Sequence, residues 1–292
     1  MTGAGSPPGL AAFPAPCDDA GGASQRADPL AELTVLPARG AGSVDLAGLR
    51  RRVELRHDRQ GTVQGYLDGR LVASSAEANR VIQALDQWLT AERMAAYPGA
   101  LRLHAGAVSL GGRMILLTGD SGAGKTTLLL HLLLAGEAYH CDEYVMLRDG
   151  VAHPFPLRMH VKQGTVGMFP DLARLCRRKP AYPWRAGAHY YLLEPAEIGR
   201  CWTVAPGRPA AIVHLTPDFG APPRLASVAK VRMASVLSAQ MLNARGRLGW
   251  ALGEVASLVR VTPCFGLTAG PLAETAGQLQ DLAGDLPLPR GL

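Results

Sequence analysis

Lysine is scarce in this chain. Lys125, Lys162, Lys179 and Lys230 are the only four among 30 basic residues, the rest being arginine. A formal charge of +6 and a pI near 9.3 would suit a nucleic-acid partner. The basic runs Arg50-Arg51-Arg52 and Arg177-Arg178-Lys179 are short, however, and no aromatics interleave them. With abundant Ala, Gly and Pro, the arginine bias reads as the composition of a GC-rich genome. The charge then belongs to solvated faces or acidic-partner contacts, and no nucleic-acid partner is expected. Cysteine is sparse too. Cys17, Cys141, Cys176, Cys201 and Cys264 are odd in number, scattered and free of any C-x-x-C, which argues against a zinc ribbon or a disulfide framework and for free thiols in a reducing cytosol. Long apolar runs are also missing. Those around Met114–Leu117 and Leu128–Ala135 are too short to span a bilayer. The N-terminus lacks the basic opening of a secretory signal, and Pro7, Pro8, Pro14 and Pro16 interrupt it. A cytoplasmic protein with no membrane partner is expected.

What is present suffices for a core: 48% of the 292 residues are apolar and 18% charged. Residues 1–40 are Gly/Ala/Pro-rich without periodicity and read as a disordered tail. Residues 41–96 read as a small N-terminal region of β-hairpin plus helix, with Asp68-Gly69 as a hairpin turn between Tyr66-Leu67 and Leu71-Val72. Ser74 with Glu77 suggests a capping box. Val81, Ile82, Leu85, Trp88 and Leu89 then recur at helical spacing over about 76–94, with Trp88 in the core. The main domain should occupy 97–285, followed by a tail at 286–292. In it, the apolar runs Leu101–Leu110 and Met114–Leu117 flank Gly111-Gly112-Arg113 as a hairpin, and Thr126–Leu134 forms a helix ended by Gly136. Ala138–Leu147 is expected to be one strand, closed by Arg148-Asp149-Gly150. Further strands are expected near 157–163, 189–194 and 210–215, and helices near 170–177, 228–243, 249–259 and 271–283. The mixture without strict alternation predicts an α/β fold, a mixed sheet with flanking helices.

The segment Gly119-Asp120-Ser121-Gly122-Ala123-Gly124-Lys125-Thr126 matches G-x-x-x-x-G-K-[ST] and stands between a strand and a helix. Its glycines permit conformations that turn successive N–H groups towards phosphate oxygens, and the helix N-terminus adds its positive dipole end. Lys125 would reach the β- and γ-phosphates, the Thr126 hydroxyl would ligate Mg²⁺, and Thr127 would extend towards the α-phosphate. Binding of a nucleoside triphosphate, ATP by expectation, follows.

Transfer further needs carboxylates beside the loop. Asp142-Glu143 lies seventeen positions after Lys125 (142 − 125), a separation that holds one short helix and one turn. Neighbouring residues on a strand face opposite sides, so one of the pair should face the nucleotide unless the strand twists or bulges. Asp142 is expected as general base and Glu143 as the Mg²⁺ ligand, with the exchanged roles left open. His104, followed by the small residues Ala105-Gly106-Ala107, should sit beside the loop strand, where it could tune Asp142 or contact the transferring phosphate.

With His104, the glycine loop and the pair Asp142-Glu143 in this order and spacing, the sequence resembles the HPr kinase/phosphorylase family and its HPr-kinase-like relatives, closely over about 100–150 and faintly over 151–285. The resemblance implies a P-loop kinase core of the HPr kinase and phosphoenolpyruvate carboxykinase type across 97–285. It also implies Mg²⁺-dependent transfer of the γ-phosphate of ATP to a serine or threonine hydroxyl of a protein or peptide. By position, Asp142 matches the family's catalytic aspartate and His104 a histidine near its active site. Glu143 stands where a second aspartate is usual, and Thr126 where serine is more frequent. A homo-oligomer is compatible with this reading.

Arg158, His160 and Lys162 alternate in one expected strand and would share a face, either lining the cleft or forming a basic edge. His189-Tyr190-Tyr191 could contact substrate or be buried. His153, His160 and His214 have no metal-ligand spacing. A small-molecule kinase on the same core, and a module that binds ATP without transferring phosphate, are the alternative functions.

Overall fold

In the computed structural model, which describes residues 41–46, 49–95, 97, 99–184 and 187–288, three expected turns take left-handed backbone. Asp68-Gly69 has φ of 49° and 80°, Gly111-Gly112 has 54° and 77°, and Asp149-Gly150 has 52° and 72°. Two consecutive positive φ values match the right-handed twist of the flanking strands. The expectations for 1–40 and 289–292 lie outside the described residues.

The first turn joins β3 (Val63–Leu67) to β4 (Arg70–Ser75). With β1 (Ala41–Leu46) and β2 (Leu49–His57) they form an antiparallel sheet in chain order. Helix α1 (Ala78–Ala95) packs on it, with Val81, Leu85 and Leu89 against Val53, Leu55, Val63 and Leu67. Trp88 is half-buried at this core, as expected. The contact is close at Gly65, where a Cβ would stand 2.6 Å from Val81 Cγ1. The expected capping box does not form. Ser74 belongs to β4, and Glu77 N bonds Ser75 Oγ instead (3.1 Å), a local turn after which the helix starts at Ala78, two residues beyond the expected start.

The remaining strands are β5 (Leu101–His104), β6 (Gly106–Leu110), β7 (Arg113–Thr118), β8 (Ala138–Cys141), β9 (Tyr144–Arg148), β10 (Val151–Phe155), β11 (Met159–Lys162), β12 (Tyr182–Pro183), β13 (His189–Leu193), β14 (Ala211–Pro217), β15 (Arg224–Ser227) and β16 (Cys264–Ala269). The helices are α2 (Lys125–Leu134), α3 (Gln163–Val166), α4 (Pro170–Cys176), α5 (Lys230–Ala239), α6 (Leu248–Val261) and α7 (Leu272–Asp285). Six strands form the main sheet in the order β15-β16-β14-β7-β6-β8. Its centre, β7, β14 and β16, is parallel, and its flanks are antiparallel. This is the expected mixed sheet. Alternation along β7 covers both faces: Ile115 and Leu117 join Leu128, Leu132 and Leu279 on the α2–α7 side, while Met114 and Leu116 join Met233, Leu237, Val255 and Leu258 on the α5–α6 side. Central β16 escapes the sequence reading because Gly266 and Thr268 dilute its apolar pattern, although Pro263 and Gly270 bracket it. Leu286, at the start of the expected tail, is buried against the α2–α7 core.

Two expected continuous strands are broken. The run Leu101–Leu110 divides at Ala105 and the run Ala138–Leu147 divides at Asp142-Glu143. Strands β5 and β9 pair in one sheet with β10, whereas β6 and β8 pair in the main sheet. The two runs thus change sheets together, at one level, and Ala105 N bonds Glu143 O (3.2 Å) across the break.

Among the described residues no helix is long and apolar enough to cross a membrane. Cys141, Cys176 and Cys264 are free and buried. Cys201 is disulfide-bonded, so the expectation of free thiols does not hold there.

Candidate active site

The glycine loop leaves β7 and enters α2 at Lys125. Gly122 and Gly124 adopt φ of 94° and 91°, values that an L side chain strains to reach. Gly119 is required for a different reason: a Cβ there would lie 2.7 Å from Leu215 O, because the loop starts against β14. Ala123 N bonds Asp120 O (3.0 Å) and tightens the turn. No side chain caps α2 at Gly124, which leaves the N–H groups of its first turn to an anion. The helix ends as expected at Gly136 (φ 99°), with Gly136 N on Leu133 O and Glu137 N on Leu132 O, both 3.0 Å.

The bend between β8 and β9 lies directly over this helix start. Thr126 Oγ1 donates to Asp142 Oδ2 at 2.6 Å. Lys125 Nζ donates to the Asp142 carbonyl at 2.9 Å, and lies 3.3 Å from His104 Nε2 and 3.7 Å from Asp142 Oδ1. Lys125 and Asp142 are both buried, and Asp142 Oδ1 takes no hydrogen bond. Of the pair, only Glu143 lines the cavity, and Asp142 is buried. Because Asp142 and Glu143 stand in a bend rather than a strand, the two-sided alternation does not apply. Asp142 turns down to α2 while Glu143 turns to the cavity wall.

Glu143 is gripped from two sides. His104 Nδ1 lies 3.1 Å from Oε2 and His160 Nδ1 lies 3.5 Å from Oε1. Burial disfavours the Glu143 anion, but the hydrogen bonds and positive charge offered by His104 and His160 outweigh it. The carboxyl is held well below its ordinary range. Burial likewise opposes charge on His160, yet the bond to Glu143 and the surrounding carboxylates raise its proton affinity. Strand β5 is fixed from its other edge: His104 N donates to Gln240 O (2.9 Å), and Asn243 bridges Arg102 N (2.8 Å) and Ala100 O (3.0 Å). The small residues after His104 do permit close approach. A Cβ on Gly106 would meet Leu129 Cδ1 at 2.5 Å and Cys141 O at 3.3 Å.

These groups open on a cavity of about 360 Å³ that is also lined by Asp120, Ser121, Lys162, Thr165, Trp184 and Tyr190. Lys162 Nζ donates to Ser121 Oγ (3.3 Å) and sits 5.1 Å above the Trp184 ring, and Thr127 Oγ1 bonds Thr165 Oγ1 (2.8 Å). Of the alternating basic set, His160 and Lys162 line this cavity. Arg158 lines a neighbouring one of about 240 Å³, which His160 shares. Of His189-Tyr190-Tyr191, Tyr190 reaches the cavity, whereas His189 bonds Tyr191 (3.0 Å). His153 and His214 do not line it.

No protein-family model matches the chain, and no curated protein matches its sequence. Among solved structures it is similar to the Hpr(Ser) kinase/phosphatase from Coxiella burnetii, with 12% identity over 63% of this chain and 88% of that one, at a TM-score of 0.34. So distant a likeness carries no weight for the chemistry, which rests on the site.

Among the described residues no group of three or more His, Cys, Asp or Glu side chains is arranged to hold a metal ion. A nucleotide-borne Mg²⁺ needs fewer, since it keeps waters and phosphate oxygens and takes only one or two protein oxygens. The Thr126 hydroxyl and the Asp142 carboxylate, with its unused buried Oδ1, are hard oxygen donors of that kind. Thr165, Trp184 and Asn243 are site and support residues that the sequence reading did not single out. Their spacing from the loop holds no local signal, and only the packing brings them near.

Proposed function

We propose that this chain is a Mg-ATP-dependent phosphotransferase with a P-loop kinase core, HPr-kinase-like, which moves the γ-phosphate to a serine or threonine hydroxyl of a protein or peptide. The observation that carries this is the 2.6 Å bond between Thr126 and Asp142. It unites the polyphosphate cradle and the acidic bend in a single site.

In this reading the loop N–H groups and Lys125 bind the β- and γ-phosphates, and Thr126 with Asp142 holds Mg²⁺, which neutralises phosphate charge when bound. The geometry supports exchanging the roles first expected for the two carboxylates. Asp142 is buried beside Thr126 and suits the metal, whereas Glu143 faces the cavity and suits the acceptor. Glu143 holds its proton weakly, so its task is to accept the acceptor's O–H hydrogen bond and align the oxygen in line with phosphorus. In a loose transition state such alignment matters more than basicity. His104 keeps Glu143 oriented and stands against Lys125.

Incubating the protein with Mg-ATP and candidate peptides, then reading phosphate addition by mass spectrometry, tests the proposal. Phosphate on a hydroxyl is the expected result. ATP binding without transfer to any acceptor would reduce the protein to a regulatory nucleotide holder. A small-molecule kinase is the second reading, favoured by the adjoining cavity of about 240 Å³ with its polar wall of Asp86, Thr90 and Arg158. A metabolite screen by coupled ADP release separates it from the first.

A further inference from the structure

Phenylalanine is rare in this chain, with five in 292 residues. Among the described ones, Phe155 and Phe169 are buried and Phe265 is half-buried, but Phe219 is 59% exposed. Its location is specific. Phe219 Cε1 and Cζ both lie 3.5 Å from where a Cβ on Gly124 would stand, so the ring edge rests against the last glycine of the loop. The connection that carries it, residues 218–223, is fixed at both ends. Asp218 N bonds Ala269 O (2.9 Å), Ala221 N bonds Asp218 O (3.1 Å), and Pro222-Pro223 stiffens the exit. Ala221 O sits so close to Gly270 that a Cβ there would meet it at 2.2 Å. The aromatic ring is thus held out to solvent on a constrained turn.

Topology adds the second argument. Strand β14, which leads to Phe219, flanks β7 on the side away from β6 and β8, where His104 and the acidic bend lie. A nucleotide whose terminal phosphates engage Lys125 beside that bend has its nucleoside end free to cross Gly124 to the opposite flank. Trp184, the other exposed ring near the site, is already engaged: Lys162 sits over it, and Tyr190 contacts it edge-on with centroids 6.0 Å apart. We propose that Phe219 is the stacking platform for the nucleobase. This rests on the phosphotransferase reading and extends it to a residue that sets nucleotide affinity. Stacking engages the π-face common to all bases, so adenine and guanine are both accommodated.

The test is titration of the full-length protein with Mg-ATP, Mg-GTP and inorganic tripolyphosphate, the last having the phosphates without the base. Phe219→Ala should weaken ATP and GTP by about tenfold or more while tripolyphosphate binding changes less than about twofold, and Phe219→Trp should restore ATP. Unchanged ATP affinity in Phe219→Ala overturns the platform, as does an equal loss of tripolyphosphate, which would make the ring a support for the loop. The same holds if ATP binds wild-type protein no more tightly than tripolyphosphate does. Failure of wild-type protein to bind any of the three defeats the phosphotransferase reading itself, and the platform with it.

Discussion

Thr126 and Asp142 are joined by a 2.6 Å hydrogen bond, Oγ1 to Oδ2, although one lies in the first turn of helix α2 and the other stands in a bend between strands of two different sheets. Asp142 also receives Lys125 on its backbone carbonyl. One residue therefore positions both functional side chains of the loop's end, so changes at Asp142 should separate nucleotide binding from transfer.

Asp142→Asn keeps the shape and an oxygen for Thr126 while removing the negative charge. Nucleotide binding should persist, and phosphate transfer should fall by at least about 10²-fold, the scale expected when one preorganised charge-stabilising group is lost. Phosphopeptide formation and ATP titration measure the two quantities on one preparation. Undiminished transfer would remove Asp142 from the chemistry.

The Glu143–His160 contact should make stability depend on pH. Glu143 is depressed in the folded state, so its contribution is present above its ordinary value of 4.5 and is lost as pH falls towards the folded value. His160 is raised, so its contribution is complete below 6.5 and is lost as pH rises through the folded value. The two overlap between 4.5 and 6.5. Urea unfolding without nucleotide should therefore show Glu143→Gln costing more stability at pH 6 than at pH 8.5. A cost that grows with pH contradicts this arrangement.

His140 behaves in the opposite sense. It is buried, its Nε2 is 2.7 Å from Ser109 Oγ, and burial pushes its pKa down to about 4 from 6.5. The unfolded chain takes up this proton first as pH drops, so stability should decline between pH 6.5 and 4, by about 3 kcal/mol at most. His140→Gln should flatten that part of the curve. If wild type and variant lose stability in parallel over this range, the buried neutral histidine is not the cause.

Gly119 and Gly122 should fail differently when changed to alanine. At Gly119 the new methyl meets the Leu215 carbonyl, a backbone atom that cannot swing away, and a loss of about 1–3 kcal/mol of folding stability is expected. At Gly122 no atom lies within 4 Å, but φ is 94°, so the cost is local strain of about 1–2 kcal/mol in a loop that lines the cavity. Calorimetry with and without ATP should show Gly119→Ala melting lower in both conditions, and Gly122→Ala mainly losing the stabilisation that ATP supplies. Equal melting of Gly119→Ala and wild type would exclude the β14 contact as a constraint.

Features governed by neighbours in the chain were legible beforehand. The left-handed turns at Asp68-Gly69, Gly111-Gly112 and Asp149-Gly150, the stop at Gly136 and the strand–loop–helix around Lys125 all follow from local backbone preference and short-range periodicity. The breaks at Ala105 and Asp142-Glu143 were not legible, because no local signal in either run marks a change of pairing partner. A strand changes sheets only when its partner does so at the same level, and that is a property of pairs.

By itself, then, the sequence determined the glycine cradle, its lysine and the closeness of an acidic pair in the chain, since these depend on φ preferences and on one short helix. Tertiary structure alone decided that Glu143 rather than Asp142 lines the cavity, that His160 completes the grip on Glu143, and that Asn243, 141 positions from Arg102, braces the strand of His104. The physical reason is that hydrogen bonds and charge contacts between distant segments depend on how sheets and helices stack, and that stacking is set by burial of both sheet faces together, not by any local run of residues.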